Sequence, residues 1–330
     1  MKKIGIIGAG AWGTALATQA IRAGNDVIIW AREPEVVKTI NNDSVNDIFL
    51  PGFKLDRRLR ATNILSEAVS CDMVFIVVPS QHFREICNQI RAFWVDRTPA
   101  IICSKGIERK TNSLLTQVLL EEIPKASPMI LSGPTFAIEV ARGMPTAVTL
   151  ACEDMKLGMI VSKSIATNTF RPYLSNDLAG VAVGGAVKNV LAIACGLTEG
   201  LEMGNNARAS LITRGLAEVI RLSLALGGKE RTLNGLSGLG DLLLTATSFQ
   251  SRNYSLGVAL GQGMKLQQIL SNRVSVAEGV YSSSALVSLA NSKNIDMPIC
   301  FEIDQVINHM KPIEIAIKDI LERPIRSELD

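Results

Sequence analysis

The chain reads as an α/β protein in two parts, a mostly parallel sheet interleaved with helices followed by an all-helical part. Three features of the sequence predict this. Its 330 residues suit about two domains. Short apolar runs at residues 4–7, 27–30, 73–78, 100–103, 129–131 and 147–151 lack strict alternation, as strands covered on both faces do, and helical or loop segments separate them. From about residue 178 the texture changes to long stretches rich in Ala, Leu and Gly, with apolar residues at helical spacing over 186–197 and 210–226. The boundary falls at residue 180, giving domains 1–180 and 181–330.

In order along the chain, residues 3–7 form a short β-branched strand, Gly8, Gly10 and Gly13 punctuate the turn after it, and residues 14–23 form a helix that Gly24 ends. Met1-Lys2-Lys3 ahead of an apolar run also has the outline of a secretory signal, but strand, turn and helix describe these residues better. In Gly8-Ala9-Gly10-Ala11-Trp12-Gly13 the first glycine permits a tight turn and the second lets the backbone approach a pyrophosphate. The third lets helix and strand pack closely, with the helix N-terminus facing the anion. Such a pattern is informative only between a strand and a helix, which is where this one lies. After the second run, Arg32 and then Glu33 stand where an NAD-selective site offers an acid. An arginine there accommodates a 2′-phosphate, favouring NADPH, with a solvated surface charge as the alternative.

Later motifs lie just past strands, where an open α/β sheet presents its ligand crevice. These are Val78-Pro79-Ser80, Ser104-Lys105-Gly106-Ile107 and Gly133-Pro134-Thr135-Phe136-Ala137. Lys105, between Ser and Gly at a strand end, is placed to project its ammonium into that crevice. In the helical half Ala186-Val187-Lys188-Asn189-Val190 sets one lysine in an apolar helix, which is costly unless the amine is paired, functional or snorkelling at the helix edge. Gly235-Leu236-Ser237-Gly238-Leu239-Gly240-Asp241 ends in an acid able either to serve a site or to cap the next helix. Ser251-Arg252-Asn253 supplies hydroxyl, guanidinium and amide, a set suited to phosphate.

Composition narrows the function classes. With 47% hydrophobic and 20% charged residues and a net charge of +3, the chain has neither a disordered composition nor an excess of basic charge for nucleic acid. Six cysteines without a CxxC pair argue against a zinc knuckle and suit a reducing compartment, so the expected location is the cytoplasm. Two histidines argue against a histidine metal centre and shift acid–base work to Lys, Asp or Glu. No membrane span is expected.

Taken as an ordered set, GAGAWGTALA, SKGI, GPTFA, AVKNV, GLSGLGD, SRN and VAEG (Val276 to Gly279) resemble the NAD(P)-dependent glycerol-3-phosphate dehydrogenase family, from about residue 3 to about 310. The resemblance implies an N-terminal Rossmann domain and a C-terminal helical domain like that of 6-phosphogluconate dehydrogenase relatives. It also implies NADP(H) or NAD(H) as cofactor, and reversible reduction of dihydroxyacetone phosphate to sn-glycerol 3-phosphate at the head of phospholipid synthesis. Carried over by position, it places Gly8, Gly10, Ala11, Trp12, Gly13, Arg32, Phe49, Lys105, Ala137, Arg252, Val276 and Glu278 around the cofactor. Lys105, Gly133, Thr135, Lys188, Asp241, Ser251, Arg252 and Asn253 then surround the substrate, with Lys188, Lys105 and Asp241 catalytic and Lys188 the proton donor and acceptor. Ala11 stands where Ser is common, Phe49 where Tyr is common, and the segment from Gly279 to Ser283 departs from the family pattern.

The chemistry itself asks for a proton donor to the carbonyl oxygen as hydride reaches its carbon. With histidine scarce a lysine leads, and burial beside a second cation depresses its pKa so that it also accepts. Lys188 beside Lys105 is such a pair, Asp241 opposes the depression while orienting the amine, and Arg252 and Asn253 hold the phosphate. Two other readings stay open: a dehydrogenase of the same architecture for another hydroxyacid, and a non-catalytic NADPH sensor. The expected partners are the small-molecule substrate and, through exposed apolar helix faces, a second copy of the chain.

Overall fold

The computed structural model describes residues 1–271, 277–325 and 327. The first half is one eight-stranded sheet of β1 (Lys3–Ile7), β2 (Asp26–Trp30), β3 (Arg60–Thr62), β4 (Met73–Ile76), β5 (Pro99–Ile102), β6 (Ser127–Ser132), β7 (Thr146–Cys152) and β8 (Phe170–Ser175), in the order β3-β2-β1-β4-β5-β6-β7-β8. Every neighbouring pair is parallel except β6 and β7. The first six strands have the order of a dinucleotide-binding sheet, in which the connections reverse between β1 and β4 and open a crevice at the strands' C-terminal ends. The glycine turn after β1 and the loops after β4, β5 and β6 all end there.

Two strands escape the sequence reading, and both are edges. β3 has three residues, and β8 exposes Arg171 and Tyr173 and carries Pro172. Edge strands bury less and tolerate proline, so neither shows the uninterrupted apolar run of an interior strand. β4 ends two residues earlier than expected because Val77 and Val78 already belong to the crevice loop. Apolar side chains from both faces of the sheet form two cores under the flanking helices.

A third core surrounds the helix Leu178–Gly200, which extends past both ends of the expected segment. Asp177 starts it, its side chain accepting the Gly180 N–H at 2.8 Å. The helix is long and apolar enough to cross a membrane, but 83% of its most apolar window is buried inside the protein, as in a core helix. The helix Arg252–Gly261 crosses it at backbone contact. A Cβ on Gly196 would lie 2.1 Å from the Tyr254 carbonyl oxygen, and one on Gly257 2.2 Å from that of Ile193. Glycine is therefore required on both sides of the crossing, and the close approach brings Ser251-Arg252-Asn253 up to the Lys188 stretch of the long helix.

Candidate active site

The glycine turn has the shape its residue types predict. Gly8 takes φ +113°, a conformation that side chains disfavour, and a Cβ there would meet the Val77 carbonyl oxygen at 2.7 Å. A Cβ on Gly13 would sit 1.8 Å from the Gly8 oxygen, so the helix Ala11–Arg22 seats directly on the turn. A Cβ on Gly10 would meet nothing within 4 Å. The N–H groups of this helix's first turn lack intrahelical acceptors and face that open side, which fits a pyrophosphate. Ala11, Trp12, Phe49 and Ala137 are half-buried against the same core. Arg32 is exposed beyond β2, its guanidinium on the Glu33 carboxylate at 2.9 Å.

Across the crevice the two lysines meet over one carboxylate. Asp241 is 0% exposed, and its two oxygens take Lys105 Nζ at 2.5 Å and Lys188 Nζ. Lys105 comes from the loop after β5 and also donates to the Gly133 carbonyl at 3.2 Å, while Lys188 comes from the middle of the long helix and is buried. Asp241 opens the helix Asp241–Ala246, yet its carboxylate serves the amines and does not cap. Burial pushes the Lys188 ammonium down, Asp241 pulls it up and Lys105 pushes it down further, for a net value of about 7. Burial alone would raise the Asp241 carboxyl, but the two ammonium groups hold it below the usual range.

Two contributors were not legible in the sequence. Thr245 Oγ1 accepts from Lys188 Nζ at 2.9 Å and donates to the Asp241 carbonyl at 2.6 Å. The separation of four residues between Asp241 and Thr245 on one helix is the signal that could have found it. Asn189 accepts from Asn253 Nδ2 at 3.0 Å and reaches the Lys105 carbonyl at 3.5 Å.

Ser251-Arg252-Asn253, expected to act together on a phosphate, stand at the N-terminus of one helix. Ser251 is buried and caps its helix, accepting the Tyr254 N–H at 3.2 Å. Asn253 is buried too, and its Oδ1 accepts the Gly279 N–H at 3.0 Å. Arg252, at the helix N-terminus, is exposed as a residue, while its guanidinium is partly desolvated and feels the charge of Glu278. Glu278 ties the two halves together, taking the Ser80 N–H at 3.2 Å and the Ser80 hydroxyl at 2.5 Å. Thr135 Oγ1 bonds the Gly133 carbonyl at 3.2 Å beside the Lys105 amine. Val276 lies outside the described residues. Among the described residues, no group of three or more His, Cys, Asp or Glu side chains is arranged to hold a metal.

The glycine turn and the two amines on Asp241 thus lie at the same C-terminal side of the sheet. The family profile described as NAD-dependent glycerol-3-phosphate dehydrogenase N-terminus matches residues 3–158, and its C-terminal counterpart matches residues 177–318. The chain belongs to this family. Curated relatives named as NAD(P)+ glycerol-3-phosphate dehydrogenases include that of Rhodospirillum rubrum, 53% identical over 98% of this chain and 93% of that one. Another, from Parvibaculum lavamentivorans, is 50% identical over 99% and 98% of the two chains. Among solved structures, the glycerol-3-phosphate dehydrogenase of Coxiella burnetii superposes with a TM-score of 0.94 at 37% identity, covering 98% of this chain and 99% of that one.

Proposed function

We propose that the protein reduces dihydroxyacetone phosphate to sn-glycerol 3-phosphate with NADPH or NADH, and catalyses the reverse reaction. Residues 1–180 hold the dinucleotide and residues 181–330 complete the substrate site. The relatives' names support the reaction class, and one geometric observation carries the mechanism: Lys105 and Lys188, from separate halves, converge on the buried Asp241. The glycine turn, Ala11, Trp12, Phe49, Ala137 and Arg32 are the residues placed to hold a nicotinamide dinucleotide. When bound, its nicotinamide ring supplies or takes the hydride.

The protein's own part is proton transfer and charge stabilisation. Negative charge grows on the substrate's carbonyl oxygen as hydride arrives, and Lys188 donates a proton to that oxygen while Lys105 adds a second positive charge. In the reverse direction neutral Lys188 removes the hydroxyl proton, which its lowered pKa permits at neutral pH. Asp241 and Thr245 fix the amine's direction, and Arg252 takes the phosphate end together with the N-terminus of its helix. The same reading makes the protein a cytoplasmic supplier of glycerol 3-phosphate for phospholipid synthesis.

Lys188→Ala tests the mechanism. Its kcat should fall by about three orders of magnitude or more, with the Kd for reduced cofactor nearly unchanged. Retention of more than roughly a tenth of the activity would remove Lys188 from the proton-transfer role.

A further inference from the structure

The connection from the helix Pro34–Asp43 to β3 spans residues 44–59, long for a link that the sheet alone requires. It is folded onto itself: Val45 bridges Lys54, the Leu55 N–H donates to the Ser44 carbonyl at 2.8 Å, and the Leu50 N–H donates to that of Asn46 at 2.7 Å. Leu50, Leu55 and Leu59 anchor it in the sheet core. The result is a polar side chain, Asn46, driven inward beneath the glycine turn.

Asn46 is 1% exposed. Its Nδ2 donates to the Ala9 carbonyl at 2.8 Å and to Thr14 Oγ1 at 2.8 Å, and Thr14 Oγ1 lies 3.3 Å from the same carbonyl. Among the described residues its Oδ1 has no hydrogen-bond partner, so the fold retains a buried amide of which only the donor half is used. That cost calls for a reason, and the position of Ala9 supplies it. In a trans peptide the N–H points opposite the C=O, so pinning the Ala9 carbonyl inward turns the Gly10 N–H outward. The Cβ direction at Gly10 is open as well, with nothing within 4 Å, so the backbone there can be approached closely.

We propose that Asn46 is a positioning residue for cofactor binding, which holds the Ala9–Gly10 peptide with its N–H aimed at the dinucleotide's pyrophosphate. The inference rests on the reading that the glycine turn binds a nicotinamide dinucleotide. Asn46 touches neither the reacting atoms nor the cofactor; it acts through the peptide plane. Thr14, one turn into the first helix, completes the brace by accepting the second amide proton.

The experiment compares wild type with Asn46→Ala, a neutral change that adds no charge near the pyrophosphate. Equilibrium Kd values for NADPH and NADH are read from tryptophan quenching without substrate, and the affinity for adenosine 2′-monophosphate, which has no 5′-phosphates, from competition. Expected for the variant is a Kd for both reduced cofactors raised by about tenfold or more, with the affinity for adenosine 2′-monophosphate and kcat at saturating cofactor within about twofold of wild type. Unchanged cofactor affinity, or equal losses on cofactor and adenosine 2′-monophosphate, would overturn the inference. If Asn46→Ala does not fold, Asn46→Ser carries the same comparison, and failure of both to fold would make Asn46 a folding determinant and overturn the positioning role. A wild-type protein that binds neither reduced cofactor would instead overturn the underlying reading of the turn.

Discussion

Replacing Asp241 by Asn changes charge with almost no change in shape, at a residue that is 0% exposed and paired with two ammonium groups. Removing one partner of a buried ion pair typically costs about 3–5 kcal/mol. The protein can meet that cost by losing stability or by shedding a proton from Lys188, which burial already holds at about 7 with Asp241 opposing. At the low end, about 3 kcal/mol corresponds to about two pK units. In wild type, kcat/KM for dihydroxyacetone phosphate reduction should be level at acid pH and fall above about 7, as the donor is lost, while that for glycerol 3-phosphate oxidation rises through the same point. In Asp241→Asn both breaks should move to lower pH, by about two units if deprotonation takes up the whole cost. The equilibrium constant fixes the ratio of the two kcat/KM values at any pH, so the shared break is diagnostic and a loss in one direction alone is not. Initial rates from pH 5 to 9.5, with thermal melting of both proteins, measure it. A folded variant with its break still near 7 would refute the idea that Asp241 sets the Lys188 proton affinity.

Arg252→Ala should raise KM for dihydroxyacetone phosphate by about tenfold or more while leaving the weak turnover of unphosphorylated dihydroxyacetone almost untouched; matching losses on the two substrates would argue against phosphate recognition. Arg32→Asp should move the ratio of kcat/KM for NADPH over NADH toward NADH, and an unmoved ratio would place Arg32 away from the 2′ position. Glu218 is buried and accepts the N–H groups of Ile299 and Cys300 at 2.7 and 3.1 Å, and burial raises its carboxyl from 4.5 to about 7. Between those values the native state keeps a proton that the unfolded chain releases. Stability should therefore fall as pH rises from about 4.5 to about 7, by about 3 kcal/mol at most. Urea midpoints at pH 5 and 8 should lie closer together in Glu218→Gln than in wild type; an equal gap in the two proteins would assign the pH dependence elsewhere.

Several parts of the site were legible in residue type and spacing. Gly8 and Gly13 answer steric demands that are local to one turn, met at the Val77 and Gly8 carbonyl oxygens, while Gly10 leaves its side of the turn open. A lysine in the apolar stretch around Lys188 stands out because its burial is costly, and the edge strands stayed hidden because β3 has only three residues and β8 is only partly covered. Ser251 and Asn253 were read as substrate-site residues from their chemistry and from the family resemblance. Their observed bonds, to the Tyr254 N–H and to Asn189 and Gly279, depend on where the neighbouring helices pass.

By itself the sequence determined the α/β-then-helical order, the nucleotide turn and the identity of the two amines, because each rests on interactions within one element or one turn. Only the tertiary structure decided that Lys105 and Lys188, separated from Asp241 by 136 and 53 residues, share its carboxylate, and that Asn46 reaches the Ala9 carbonyl 37 residues away. The physical reason is that such meetings depend on close packing between elements, at Gly184 on the Ser237 carbonyl and at Gly13 on that of Gly8, where one added carbon would push the partners apart.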